Sequence, residues 1–209
     1  MRASFGIALV VALFVAVTGA WAGVVPLVDG SFESPSCGAP GTSCTPVAGS
    51  WVVSGADQWN PSAGAYNSIP YGTQVGWANA GGSLIQTLTT DLASATTYTL
   101  TVSVGLRNLE SQSFGGVIEL LAGSTVLESY NSGTVPTAGN WSVWTLTYDS
   151  GSSNPLAGQA LGIELMSTTN QTAFDGVFLN DASDVPEPAM FALVGAGLLG
   201  LVTRRRFAK

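Results

Sequence analysis

The chain has 209 residues, of which only 9% are Asp, Glu, Lys or Arg; it carries no His and a formal net charge of −7. Its single cation between positions 3 and 203 is Arg107. So little positive charge argues against nucleic acid as a partner and against an anionic ligand held by Arg or Lys, and the lack of His removes the usual base of hydroxyl-nucleophile triads. In chain order, Arg2, the apolar run 5–17 and Ala20-Trp21-Ala22 read as a secretory signal peptide over residues 1–22, cleaved after Ala22. Residues 23–183 follow as one ectodomain, with eleven acids against Arg107.

Cys37 and Cys44 flank a Gly-, Pro- and Ser-rich stretch. Export places them in an oxidising compartment, and the intervening residues turn back easily, so a disulfide is expected. Residues 24–33 read as a first strand with a bend at Asp29-Gly30, and 49–53 as a short strand carrying Trp51. Residues 55–71 read as a loop, and strands are expected at 73–79 and 83–90. In 97–107, Tyr98, Leu100, Val102 and Val104 alternate with Thr97, Thr99, Thr101 and Ser103, the pattern of a half-buried antiparallel strand. Strands at 116–122 and 125–131 are joined by a hairpin through Gly123-Ser124; 141–148, 159–167 and 172–180 complete the series. No stretch of the ectodomain reads as a helix, so an all-β sandwich is expected.

At the other end, Val185-Pro186-Glu187-Pro188 precedes an uncharged apolar run at 189–202 and then Arg204-Arg205-Arg206. The prolines break any helix from upstream. The apolar run is short for a membrane span, and the arginines orient it with the ectodomain outside. This order of parts over 184–209 resembles the PEP-CTERM sorting signal. That resemblance implies a transmembrane sorting helix, recognition by an exosortase, transient residence in the inner membrane, and a mature form at the cell surface or in the extracellular matrix.

Within the ectodomain, Val28-Asp29-Gly30-Ser31-Phe32-Glu33, the pair at 82–88 and 97–102, and Ala173-Phe174-Asp175-Gly176-Val177-Phe178-Leu179 are similar to the opening, central and closing strands of galactose-binding-like jelly rolls found in carbohydrate-binding modules. The resemblance implies a jelly-roll β-sandwich. It also implies a structural Ca²⁺ on Glu33 and Asp175, with Asp29, since a hard cation takes carboxylate oxygens.

Trp51, Trp59, Tyr66, Tyr71 and Trp77 cluster in the first half of the domain. Trp51 and Trp77 lie in strand-like runs and are expected in the core, as are Trp141 and Trp144. Trp59, Tyr66 and Tyr71 lie in the expected loop and, with Asp57, are candidates for stacking and hydrogen bonding a sugar. With no His or Lys in the ectodomain and no concentrated carboxylate motif, the expectation is a non-catalytic surface or matrix protein associating with exopolysaccharide. A structural protein with a protein partner is the second reading, and a glycan-processing enzyme the third.

Overall fold

The computed structural model describes residues 22–109 and 113–183. The expected signal peptide up to Trp21 and the sorting residues Val185, Pro186, Glu187, Pro188, Arg204, Arg205 and Arg206 lie outside them. Ten strands run through the described residues: β1 (Ala22–Val25), β2 (Ser43–Cys44), β3 (Val52–Trp59), β4 (Val75–Asp91), β5 (Thr96–Gly105), β6 (Gly116–Ala122), β7 (Thr125–Tyr130), β8 (Trp141–Asp149), β9 (Ala160–Ser167) and β10 (Gln171–Ser183). No helix occurs among the described residues. The expected all-β jelly-roll sandwich is what the chain forms.

The hydrogen-bonded order is β7-β6-β9-β4-β10-β5-β8, with β1 against β10 and β2 and β3 beside β4. Every pairing is antiparallel. The 17-residue β4 belongs to both layers of the sandwich. Its first residues pair with β10, from Asn79 opposite Gln171 to Gly76 opposite Phe174. Beyond the irregularity at Ala80/Gly82 it pairs with β9, Leu84 opposite Leu165. The strands expected at 73–79 and 83–90 are therefore one bent strand, because the ladder continues through the glycine pair rather than ending there.

Two other expectations change. The first strand stops at Val25 rather than continuing to Glu33. Asp29 and Phe32 take left-handed backbone angles, φ 54° and 57°, which an extended strand cannot contain. Conversely, residues 55–59, read as loop, extend β3 as far as Trp59. Their backbone is claimed on both sides: Ser43 and Cys44 lie opposite Trp59 and Gln58, and Trp59 lies opposite Val75.

The alternation in β5 is realised as read, with Tyr98, Leu100, Val102 and Val104 buried between the layers. Leu84, Ile118, Leu120, Leu161, Ile163 and Leu165 face them from the other layer, and Trp144, Leu146, Phe174 and Leu179 complete this core. A second, smaller cluster forms around Trp59, Ala65, Val75 and Ala173, with Tyr66, Ile69, Trp77 and Trp141 packed against it. Trp51 and Trp144 are core residues as expected. Trp77 and Trp141 instead join the second cluster, half-buried, because they project from the opposite side of their strands.

Cys37 and Cys44 form the disulfide, seven residues apart. It ties the loop before β2 to the edge of β3. Replacing both cysteines by Ser should lower the free energy of unfolding by about 2–3 kcal/mol, the loss of a short closed loop in the unfolded chain, measured by denaturant melts.

Candidate active site

The turn after β1 is built on Asp29. Its Oδ1 accepts hydrogen bonds from the Glu33 and Ser34 amides at 2.7 and 3.2 Å, and Oδ2 accepts from Ser34 at 3.2 Å. Trp51 Nε1 donates to the Asp29 carbonyl at 3.0 Å. These contacts hold Phe32 fully buried, its ring 5.2 Å from that of Trp51 and lying over Gly76, where any Cβ would come within 2.7 Å of it. Burial pushes the Asp29 carboxyl up from its ordinary value, the Ser34 and Glu33 amides pull it back, and the charge of Glu33 adds to the rise.

Glu33 then reaches across to the loop that precedes β4. Its Oε1 accepts from the Thr73 and Gln74 amides at 2.8 and 2.7 Å, and its Oε2 from Thr73 Oγ1 at 3.3 Å. Asp175 holds the same loop two residues earlier: Oδ2 accepts from the Tyr71 amide at 2.8 Å, and Oδ1 from the Gly176 amide at 2.7 Å. Asp175 is fully buried and stands at the start of a bulge in β10. Loss of water pushes its carboxyl up to about 7; the Tyr71 and Gly176 amides oppose this and the nearby Glu33 charge reinforces it.

Gly176, at φ 54°, permits the bulge and leaves room for the Tyr71 ring, which would lie 2.2 Å from a Cβ there. That ring meets Phe178 edge-on at 5.2 Å. The pair borders an apolar cavity of about 320 Å³, also lined by Val25, Leu27, Val177 and Leu179. Tyr71 thus lines the cavity while its backbone amide binds the Asp175 carboxyl.

Asp29, Glu33 and Asp175, the residues expected to bind Ca²⁺, are thus all engaged with backbone amides. Among the described residues, no group of three or more His, Cys, Asp or Glu is arranged to hold a metal ion.

The expected sugar site is divided. Trp59 is buried, with the Arg107 guanidinium 4.5 Å above its ring and the Tyr66 edge at 6.3 Å. Tyr66 in turn packs on Trp141 at 4.9 Å. Burial raises the Tyr66 hydroxyl well above its ordinary value, against the pull of Arg107. These rings pack together around the second cluster. Asp57 accepts from the neighbouring Gln58 amide at 3.1 Å, and Tyr71 belongs to the apolar cavity. Sequence reading took Asp175 for a metal ligand and left Arg107 without a role. The Asp-Gly step inside a strand was the available signal for a bulge at Asp175; nothing in the sequence announced the stacking of Arg107.

Residues 24–180 match the family model described as HpiC1 cyclase, and residues 184–206 match the PEP-CTERM protein-sorting motif. Among solved structures, a cyclase from Fischerella sp. TAU is 25% identical with a TM-score of 0.70, over 79% of this chain and 100% of that one. The Stig cyclase Fisc from the same source, in complex with (3Z)-3-(1-methyl-2-pyrrolidinylidene)-3H-indole, is 25% identical with a TM-score of 0.68, over 77% and 98% of the two chains. A Fischerella sp. TAU cyclase in complex with 4-(1H-indol-3-yl)butan-2-one is 25% identical with a TM-score of 0.66, over 78% and 99%. No curated protein matches the chain. The family model and these neighbours overturn the expectation of a non-catalytic carbohydrate-binding protein: the ectodomain's family is one of cyclases, not of carbohydrate-binding modules. The chain therefore belongs to the HpiC1-like cyclase family, and a PEP-CTERM sorting motif follows its cyclase-like domain.

Proposed function

We propose that the domain closes a ring on an apolar, indole-bearing small molecule, with Asp175 as the proton donor. The observation that carries this reading is a fully buried carboxyl, raised to about 7 and bound by the amide of Tyr71, whose ring pairs with Phe178 at the border of an apolar cavity. The substrate class comes from the indole ligands of the Fischerella cyclases.

The chemistry needs no nucleophile. Protonated Asp175 gives its proton to an alkene carbon, and the two alkene π electrons form the new C–H bond. The indole ring attacks the cation left on the adjacent carbon, closing the new C–C bond. Loss of a proton from the attacked ring carbon restores aromaticity, and the Asp175 carboxylate takes a proton back. Product and substrate are isomers, and no co-reactant is consumed. Once Asp175 is ionised, the Tyr71 and Gly176 amides already point at its oxygens, so the charge is met without reorganisation. The Tyr71 and Phe178 rings offer π faces to the passing cation.

The sorting motif supports an exported enzyme. In this reading an exosortase acts on the tail after a transient stage in the inner membrane, and the cyclase domain works at the cell surface or beyond it.

Incubating the full chain in mild detergent with a panel of indole-bearing alkenes in D₂O should give cyclic isomers that carry deuterium on carbon. Asp175→Asn should lower the rate by about 10²–10⁴-fold, the usual contribution of a positioned acid. A panel with no cyclic isomer, or an Asp175→Asn variant of undiminished rate, would count against the proposal.

The pH dependence follows from the direction of the shift. A carboxyl raised to about 7 is protonated below that pH and lost as a donor above it. The wild-type rate should be flat from pH 5 to 6 and fall about tenfold per unit above 7. Residual turnover by Asp175→Asn should lack that descending limb.

A further inference from the structure

We propose that the polar cavity around Arg107, on the second-cluster side of the domain, binds a planar carboxylate. Arg107 is the only cation between positions 3 and 203, in a domain otherwise rich in acids. Among the described residues no carboxylate pairs with it; its contact is the stack on Trp59 at 4.5 Å. That contact is with a π face, which takes no hydrogen bond, so the N–H donors of the guanidinium still call for acceptors. One of them, Nε, is buried without a hydrogen-bond partner.

A second orphan donor belongs to another residue that lines the same cavity. Trp77 Nε1 is also buried with no acceptor. Both residues line a space of about 220 Å³ together with Ser43, Ser62, Gln171 and the Trp59 ring. A buried N–H without a partner costs on the order of 1–3 kcal/mol, so two of them on residues that line one cavity mark a place where an acceptor belongs. The two indole N–H and guanidinium donors cannot accept; Ser43, Ser62 and Gln171 can add further donors. A ligand that satisfies this set is acceptor-rich. The single cation favours a monoanion, and the flat fork of the guanidinium favours a planar group. A carboxylate on a small aromatic ring meets all three conditions, its ring set among the Trp59 and Trp77 side chains.

The frame of the cavity is built for rigidity. Ser43 stands in β2, directly opposite Trp59 and one residue before the disulfide-bonded Cys44. Trp77 lies opposite Ala173 in the β4–β10 ladder, and Gln171 opposite Asn79. Arg107 follows β5 by two residues. Cations are scarce in the sequence, but one half-buried guanidinium with an unpartnered Nε suffices for a monoanion.

The inference does not depend on the chemistry of Asp175. Titrating the full chain in mild detergent with sodium benzoate, followed by tryptophan fluorescence, should give saturable binding. Benzamide, the neutral isostere, should bind about tenfold more weakly or less. Arg107→Met should abolish the preference for benzoate. Trp77→Phe, which removes one donor and keeps the ring packing, should weaken benzoate several-fold and leave benzamide unchanged, and it decides the matter if Arg107→Met fails to fold. Asp175→Asn should bind benzoate as the wild type does, which separates this site from the proton donor. Equal affinity for benzoate and benzamide, no binding of either, or undiminished benzoate binding by Trp77→Phe would overturn the proposal.

Discussion

Two carboxylates hold one short stretch of backbone, and the functional end of the domain depends on that grip. Glu33 accepts the Thr73 and Gln74 amides, and Asp175 accepts the Tyr71 amide. The residues before β4 carry Tyr66, Ile69 and Tyr71, so fixing the loop at its exit places these side chains over the sheet. A buried acid beside a second carboxylate is costly to ionise, since it lacks water and the neighbouring charge opposes it. Asp175, fully buried near Glu33, is accordingly pushed up to about 7. A structural clamp and a proton reservoir are thereby the same group.

The bulge in β10 gives the clamp its consequence. Residues 173–175 continue the regular ladder with β5, and the register slips between Asp175 and Phe178. Val177 and Leu179 consequently return to the main core while Asp175 faces the loop. Gly176 makes the slip possible and lets Tyr71 lie close against the strand. An apolar cavity is then bordered by Phe178 and by Tyr71, whose amide binds Asp175, and a polar one bordered by Arg107 and Trp77 lies by the second cluster. The fold itself dictates neither chemistry; the placement of a few side chains at its bends does.

Much of the fold was legible because strand periodicity reports burial directly. The alternation around Tyr98, Leu100 and Val102, and the turn at Gly123-Ser124, survive intact in β5 and the β6–β7 hairpin. Reading failed where tertiary pairing overrode local signals. Gly55 and Asp57 suggested a loop, yet two neighbouring strands recruit that backbone. Phe32 suggested a strand, yet the Asp29 carboxylate draws the chain into a turn. Function was misread for a chemical reason. The absence of His and Lys excludes a conventional activated nucleophile, but a proton-initiated isomerisation needs only one poised acid, and burial, which poises it, is invisible in a sequence of eleven ectodomain carboxylates.

The decisive quantity is the ionisation of Asp175 itself. Selective ¹³C labelling of aspartate, with the Asp175 carboxyl resonance assigned by comparison with Asp175→Asn, would follow its titration by NMR between pH 3 and 9. A midpoint near 7 is expected, well above the ordinary 3.8 of an aspartate. A midpoint near 4 would mean that the carboxyl is ionised at neutral pH, and Asp175 could not then serve as the proton donor.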